Sequence, residues 1–254
     1  MEVSRASEQF RHRAEDLSFD RAALLHVFSS PSCFFFALCD SSGRELLLEE
    51  YHFPVSQGIE SNLIHLQRLS TLEVKWSEVN IRLSSAWGPL MVFPEKDFDE
   101  ADLPALWRAE MRENRETAFV IGPRSGLEFL WAVSLPESIQ ETLAAFESNG
   151  EIEYLPASFH GMNLVFDSQA TSGILHCTLF PGGMDVWLVR HGKLQLANRF
   201  FGDRVDDFIY HLMNCGQQAG WSPKEDRLLL CGTDKHRKEV EVQLDLYVAD
   251  LHIE

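Results

Sequence analysis

The sequence predicts an α/β protein built of two similar halves, each a mixed sheet flanked by helices. Three observations carry that expectation. A stretch with two strand-like runs around a tight turn occurs twice, as "LLHVFSSPSCFFFALCDSSGRELLLEEYHF" (Leu24–Phe53) and "ILHCTLFPGGMDVWLVRHGKLQLANRFF" (Ile174–Phe201). Leu25-His26 and Pro31 reappear as Leu175-His176 and Pro181, an offset of 150 residues. Each hairpin is followed by an amphipathic helical pattern and a short apolar strand, and hairpins that end in a parallel pairing need helices over the sheet.

The elements follow in order. Residues 1–20 are polar and are expected to be a mobile N-terminal segment. Leu24–Ser29, Cys33–Cys39 and Glu45–Phe53 read as strands, with Ser41-Ser42-Gly43 as the second turn. Ile59, Leu63, Leu66 and Leu69 make one helical face. "EVNIRL" and "PLMVFP" read as short strands, and Asp102 as the N-cap of a helix whose Leu103, Leu106 and Trp107 share a face. A second half is placed from residue 127, after a first half spanning 21–126. It opens with the strand "LEFLWAVS" and a helix from Pro136 carrying Ile139, Leu143 and Phe146 to Gly150. "EIEYLP" reads as a strand and "ASFHGMNLVF" as a helix, ahead of the second hairpin and its third strand "KLQLANRFF". Asp203 is the expected cap of a helix with Val205, Phe208, Ile209, Leu212 and Met213 on one face. "RLLLCG" reads as a buried strand. The final "KEVEVQLDLYVADLHIE" fits both helical and strand periods and is assigned as helix, packed over a sheet edge.

Composition narrows the function classes. The chain has 254 residues, 45% of them hydrophobic and 24% charged, as in soluble globular proteins. No apolar run approaches the roughly 20 residues of a membrane-spanning helix. The charged N-terminus has no secretory pattern, so the cytoplasm is the expected location and no direct membrane insertion is foreseen. A formal charge of −17 argues against nucleic acid as a partner, because phosphate affinity rests on clustered Lys and Arg. The five cysteines form no Cys-x-x-Cys pair and are odd in number, so reduced core thiols are expected, and no metal site.

A three-stranded meander followed by helix and strand, twice over, is the layout of the ribonuclease-H-like halves of the actin-like ATPase fold. The block "GKLQLANRFFGDRVDDFIYHLM" (Gly192–Met213), closed by "RLLLCG" (Arg227–Gly232), resembles a bacterial family of uncharacterised proteins, the domain of unknown function 3822 family. "GPLMVFPEKDFDEADLPALW" (Gly88–Trp107) is also similar to an element of that family. The resemblance covers roughly residues 20–254 and implies an actin-like fold, with no activity to carry over.

Active members of the actin-like superfamily cradle nucleotide phosphates on glycine amides of the two hairpin turns. A strand-end Asp holds the metal, and a Gly-rich turn approaches the adenosine. In this sequence the first turn offers Ser29, Ser30 and Ser32 without Asp or Gly. The second offers Gly182 and Gly183, but Phe180 and Pro181 stand where small polar residues are wanted and Asp185 follows the turn. The adenosine side offers Gly232-Thr233, one glycine where a pair is usual. These seven residues are the candidate nucleotide or anion site. A plain hairpin role for Pro-Gly-Gly is the competing reading, and it is preferred.

Other chemistry finds little support. His26 and His176 occupy equivalent strand positions, and His236 has no second His at ligand spacing. Ser125, Ser134 and Ser158 lie outside any nucleophile elbow, no Walker motif occurs, and "DFDEADL" reads as helix capping. The expectation is therefore a catalytically degenerate scaffold or adaptor that needs no cofactor and acts on an unknown protein partner. Six tryptophans and eighteen phenylalanines leave room for an aromatic interface. The alternative is a Mg-ATP-binding ATPase or kinase with unconventional turns, which would need Asp40 or Asp185 to reach the ligand.

Overall fold

The computed structural model describes residues 7–13, 19–111, 117–121, 129–146, 152–158, 172–232 and 236–253. The chain divides into two compact units, Met1–Gly88 with Phe93–Pro156, and Pro89–Val92 with Ala157–Glu254.

In the first unit, strands β1 (Ser7–Arg13), β2 (Ala22–Ser29), β3 (Cys33–Asp40), β4 (Glu45–His52), β5 (Asn80–Ser85) and β9 (Glu153–Pro156) form one sheet. Their spatial order is β1-β4-β3-β2-β5-β9, antiparallel up to β2 and parallel from there on. Helix α1 (Gly58–Ser70) covers one face with Leu66 and Leu69, and α3 (Glu137–Ala144) adds Ile139 and Leu143 to the same core. Alternation decides which strand residues enter: Phe34, Phe36 and Leu38 from β3 lie in this cluster, with Leu25 and Val27 from β2. In sequence, β6 (Leu90–Pro94), α2 (Leu103–Met111), β7 (Thr117–Ile121) and β8 (Phe129–Pro136) stand between β5 and α3, with β7 antiparallel to β8 and β6 up to Val92 counted with the second unit.

In the second unit, β10 (Ile174–Phe180), β11 (Gly183–Arg190), β12 (Lys193–Phe201), β13 (Arg227–Gly232) and β14 (Asp250–Ile253) form a sheet in the order β12-β11-β10-β13-β14. Helices α4 (Val205–Gln218) and α5 (Arg237–Leu244) pack Phe208, Leu212, Val240 and Leu244 onto it. Strand for strand this repeats β4-β3-β2-β5-β9, with the same polarity. The register repeats too. Leu25 pairs with Leu38 and Ile81, while Leu175 pairs with Leu188 and Leu228.

Several local expectations are corrected. Ser7–Arg13 forms a strand against β4, because its backbone groups find partners on a sheet edge that its polar sequence does not announce. β9 pairs with β5, so the segment from β8 to Pro156 packs with the first sheet. The α2 entry is a 3-10 turn over Glu100–Asp102, and Asp99, not Asp102, accepts from Ala101 N–H at 2.9 Å. Asp203 caps nothing: the α4 N-cap is Arg204, without a side-chain cap bond. The C-terminal helix stops at Leu244, and Asp250–Ile253 joins β13 in parallel. The helix expected at "ASFHGMNLVF" falls, from residue 159 on, outside the described residues.

Candidate functional site

The first hairpin turn closes with Ser30 N–H donating to the Cys33 carbonyl at 3.0 Å, leaving Pro31 and Ser32 at its tip. The Ser30 hydroxyl accepts from Cys33 N–H at 2.9 Å and Ser32 N–H at 3.3 Å. It lies 3.2 Å from the Cys33 carbonyl, to which it donates. Ser29, fully buried, donates to Asn62 Oδ1 at 2.8 Å and accepts from Trp87 Nε1 at 2.6 Å. Asn62 in turn donates to the carbonyls of Ser30 at 3.0 Å and Gly58 at 2.8 Å. The first turn of α1 lies directly on the hairpin: a Cβ at Gly58 would sit 2.4 Å from the Pro31 carbonyl oxygen. The hydroxyls of Ser29 and Ser30 are thus engaged within the turn and with α1, and Ser32 gives its N–H to Ser30.

The second turn has Pro181 and Gly182 at its tip, between the paired residues Phe180 and Gly183. Pro at the first tip position and φ 88° at Gly182 are the requirements of a type II turn. At Gly183 a Cβ would lie 2.6 Å from the Phe200 carbonyl oxygen and 2.7 Å from the Phe180 ring. The Phe180 side chain is buried, and the Arg199 guanidinium stands 5.4 Å from its ring centroid. Gly232, at φ 109°, ends β13 beside Leu179, where a Cβ would come within 1.9 Å of the Leu179 carbonyl oxygen. The parallel pairing of Leu179 with Gly232 and the antiparallel pairing of Leu179 with Met184 bring Gly182, Gly183 and Gly232 to one end of this sheet. Arg237 Nη1 caps the Gly232 carbonyl at 2.8 Å. Thr233 lies outside the described residues.

The two acids that a metal-assisted reading needs are occupied elsewhere. Asp40 is half-buried and shapes its own turn, accepting from the N–H groups of Ser42 at 2.9 Å and Arg44 at 3.0 Å and from the Ser42 hydroxyl at 2.6 Å. These bonds, the Ser42 hydroxyl first among them, lower its pKa. Asp185 forms a two-pronged pair with Arg199, Nε to Oδ1 at 2.6 Å and Nη2 to Oδ2 at 2.9 Å, with both side chains at 0% exposure. Ser158 adds its N–H at 3.2 Å and its hydroxyl at 3.0 Å, and Trp187 Nε1 donates to that hydroxyl at 2.6 Å. Sequence reasoning did not find this network, because Ser158, Asp185 and Arg199 share no motif. The β11–β12 register, which sets Asp185 opposite Arg199, was the available signal. His176 lies fully buried on the neighbouring strand, with its pKa lowered to about 4 by burial against a lesser opposing pull from Asp185. Its Nδ1 has no hydrogen-bond partner among the described residues.

A second feature escaped the sequence. A cleft of about 640 Å³ runs along α1, lined by Pro31, Val55, Ile59, Leu63, Ile64 and Trp87 with Glu60 and Gln67 beside them. Val55, Ile59 and Ile64 are exposed there. Ile59, expected on the buried face of α1, is 48% exposed, and of that face the core takes only Leu66 and Leu69 as fully buried apolar side chains. No helix among the described residues is long and apolar enough to cross a membrane.

The sequence profile of the family described as "Protein of unknown function (DUF3822)" matches residues 23–251. A Bacteroides thetaiotaomicron protein with actin-like ATPase fold and unknown function superimposes with a TM-score of 0.79 at 16% identity, covering 94% of each chain. A PilM–PilN type IV pilus biogenesis complex gives a TM-score of 0.53 at 12% identity over 92% of this chain and 88% of that one. No curated protein matches the chain. The fold is that of the actin-like ATPases.

Proposed function

The chain belongs to the DUF3822 family of proteins of unknown function, and from that membership and the engaged turns we propose that it is a catalytically degenerate actin-like module that works by binding another protein. The single observation that carries this reading is the fate of the groups on the phosphate side. The hydroxyls of Ser29 and Ser30 hold the hairpin and α1, and Asp185 is spent on Arg199. Gly183 and Gly232 are needed where neighbouring backbone comes too close for a Cβ. Each candidate residue within the described set thus has an architectural duty, with Ser32 and Gly182 shaping the turn tips. Such a module needs no Mg-ATP.

The apolar cleft along α1 supports the interaction side of the reading, since exposed apolar residues grouped on one helix mark surfaces that other chains cover. One similar structure, the PilM–PilN complex, is an assembly of this fold with a second protein, and the analogy is one of fold only.

Thermal unfolding with millimolar Mg-ATP, Mg-ADP and Mg-GTP tests the proposal. A ligand that binds only the folded state at a hundredfold excess over its Kd stabilises by about 2.7 kcal/mol, a shift of several degrees. The expected result is no shift with any nucleotide. A shift that Gly182→Val abolishes without loss of fold overturns the reading in favour of a nucleotide-binding enzyme. On the interaction side, a photo-reactive residue at position 59 is expected to cross-link one reproducible protein, and Ile64→Glu to abolish the product while leaving unfolding unchanged.

A further inference from the structure

Strand pairing gathers three different metal-ligating side chains on the first sheet. Cys33 opens β3 and pairs directly with His52 at the end of β4. Directly opposed residues of an antiparallel pair share a face, and so do residues two apart on one strand, so Glu50 joins them. Phe34 and Tyr51, their neighbours in sequence, point the other way and stack with His65 of α1. The cluster therefore occupies the face away from α1. The Cys33 Sγ, one Glu50 oxygen and one His52 ring nitrogen all lie within 4.8 Å of one another.

We propose that Cys33, Glu50 and His52 bind one zinc ion, with water completing its coordination. The donor set selects the metal. A thiolate and an imidazole together favour Zn²⁺ over Mg²⁺ or Ca²⁺, which prefer oxygen alone. Bond lengths of about 2.3 Å to sulfur, about 2.0–2.1 Å to nitrogen and about 2.0–2.2 Å to oxygen put tetrahedral ligands roughly 3.3–3.7 Å apart. His52 Nε2 and Glu50 Oε1 now touch at 2.7 Å in a hydrogen bond, so binding replaces that bond with two metal bonds after a small side-chain rotation. One thiolate, one carboxylate and one neutral imidazole leave the bound Zn²⁺ with no net charge, which suits a half-buried position. The Cys33 thiol loses its proton to solvent as the S–Zn bond forms. Entry is from the side of His52 and Glu50, whose side chains are 29% and 25% exposed, while Cys33 closes the floor. Two backbone N–H groups hold the frame in advance: Cys33 N–H donates to the Ser30 hydroxyl at 2.9 Å and Phe53 N–H to the Ser32 carbonyl at 3.0 Å. A metal here would clamp β3 to β4 directly behind the first hairpin turn. Sequence spacing hid it, because the ligands are neighbours only through the register.

The test uses the full chain, reduced and stripped with chelator, titrated with Co²⁺ and then with Zn²⁺. The expected result is one equivalent of Co²⁺ with a thiolate-to-metal charge-transfer band, displaced by Zn²⁺. Cys33→Ser is expected to lose the band, and His52→Gln and Glu50→Gln to weaken binding by roughly tenfold or more. Because Cys33 is buried and its variant could misfold, the two partly exposed variants carry the decision if it does. No band, or Zn²⁺ affinity unchanged in both His52→Gln and Glu50→Gln, overturns the proposal.

Discussion

Arg199→Met separates a structural duty for Asp185 from a ligand-facing one. Both side chains of the pair are at 0% exposure and joined by two charge-assisted bonds, at 2.6 and 2.9 Å. Removing the guanidinium leaves the carboxylate buried with only the N–H and hydroxyl of Ser158. Stranding one partner of a buried pair costs about 3–5 kcal/mol. Loss of the cation over the Phe180 ring adds about 0.5–1 kcal/mol. Met keeps an apolar stem of similar reach, so little of the loss comes from a cavity. In a unit of roughly 100 residues each kcal/mol moves Tm by about 4–8 °C, so the unit's Tm should fall by more than about 12 °C. A thermal melt reads the Tm shift and urea unfolding the free-energy loss, both followed by tryptophan fluorescence, since Trp187 and Trp221 are buried in the same unit. The companion Asp185→Leu/Arg199→Met should recover part of the loss, because it removes the stranded charge. A loss below about 1 kcal/mol for Arg199→Met would refute the reasoning, for it would mean that Asp185 reaches solvent or a ligand.

Gly232→Ala places a methyl 1.9 Å from the Leu179 carbonyl at φ 109°, and a loss of about 2 kcal/mol or more is expected in urea unfolding. A neutral result would free that glycine for a ligand. Asn62→Ala breaks three buried bonds at once, to Ser29, Ser30 and Gly58, and should cost about 2–3 kcal/mol, against little change for the exposed Gln67→Ala. His176 has a folded pKa of about 4 against an ordinary 6.5, so as pH falls through that window only the unfolded chain takes up the proton. Its contribution therefore lowers stability from about pH 6.5 down to about pH 4, by about 3 kcal/mol in all, and levels off below. His176→Gln should flatten that part of the urea-midpoint profile; an unchanged slope would mean that other groups set it.

What could be read in advance follows from how each element is held. β2 to β4 and β10 to β12 were legible because alternation and turn residues lie within the strands themselves. α1 and α4 were legible from period alone. β1 was not, since "SEQFRHR" owes its strand to the edge of β4 some forty residues away. The last segment was assigned as helix throughout, and its strand lies at Asp250–Ile253, beyond the Val240–Val248 alternation that suggested one. Of the candidate residues, Ser30, Ser32 and Gly182 lie in the turns, Ser29, Gly183 and Gly232 end or open strands, and Thr233 lies outside the described residues. Their partners were not legible: Asn62, Trp87, Ser158 and Arg199 come from elements whose register or docking no local pattern encodes.

The two hairpin turns solve one problem in two ways, and the difference bears on ligand binding. Both carry proline at the first tip position, Pro31 and Pro181, between strands in equivalent register. In the first, a hydroxyl does the closing: Ser30 accepts two backbone N–H groups that a phosphate would otherwise take. In the second, bulk does it: the Phe180 ring lies on Gly183 and under Arg199. A phosphate arriving at the first turn would have to displace two hydrogen bonds worth about 0.5–1.5 kcal/mol each. That is a penalty of roughly 5- to 150-fold in affinity before any repulsion from the acidic chain is counted. At the second it would have to move a buried ring out of contact with Gly183. A cation on the opposite face of β3 and β4 meets neither obstacle: at Cys33, Glu50 and His52 it has to replace one hydrogen bond and the proton of a thiol whose pKa burial pushes up.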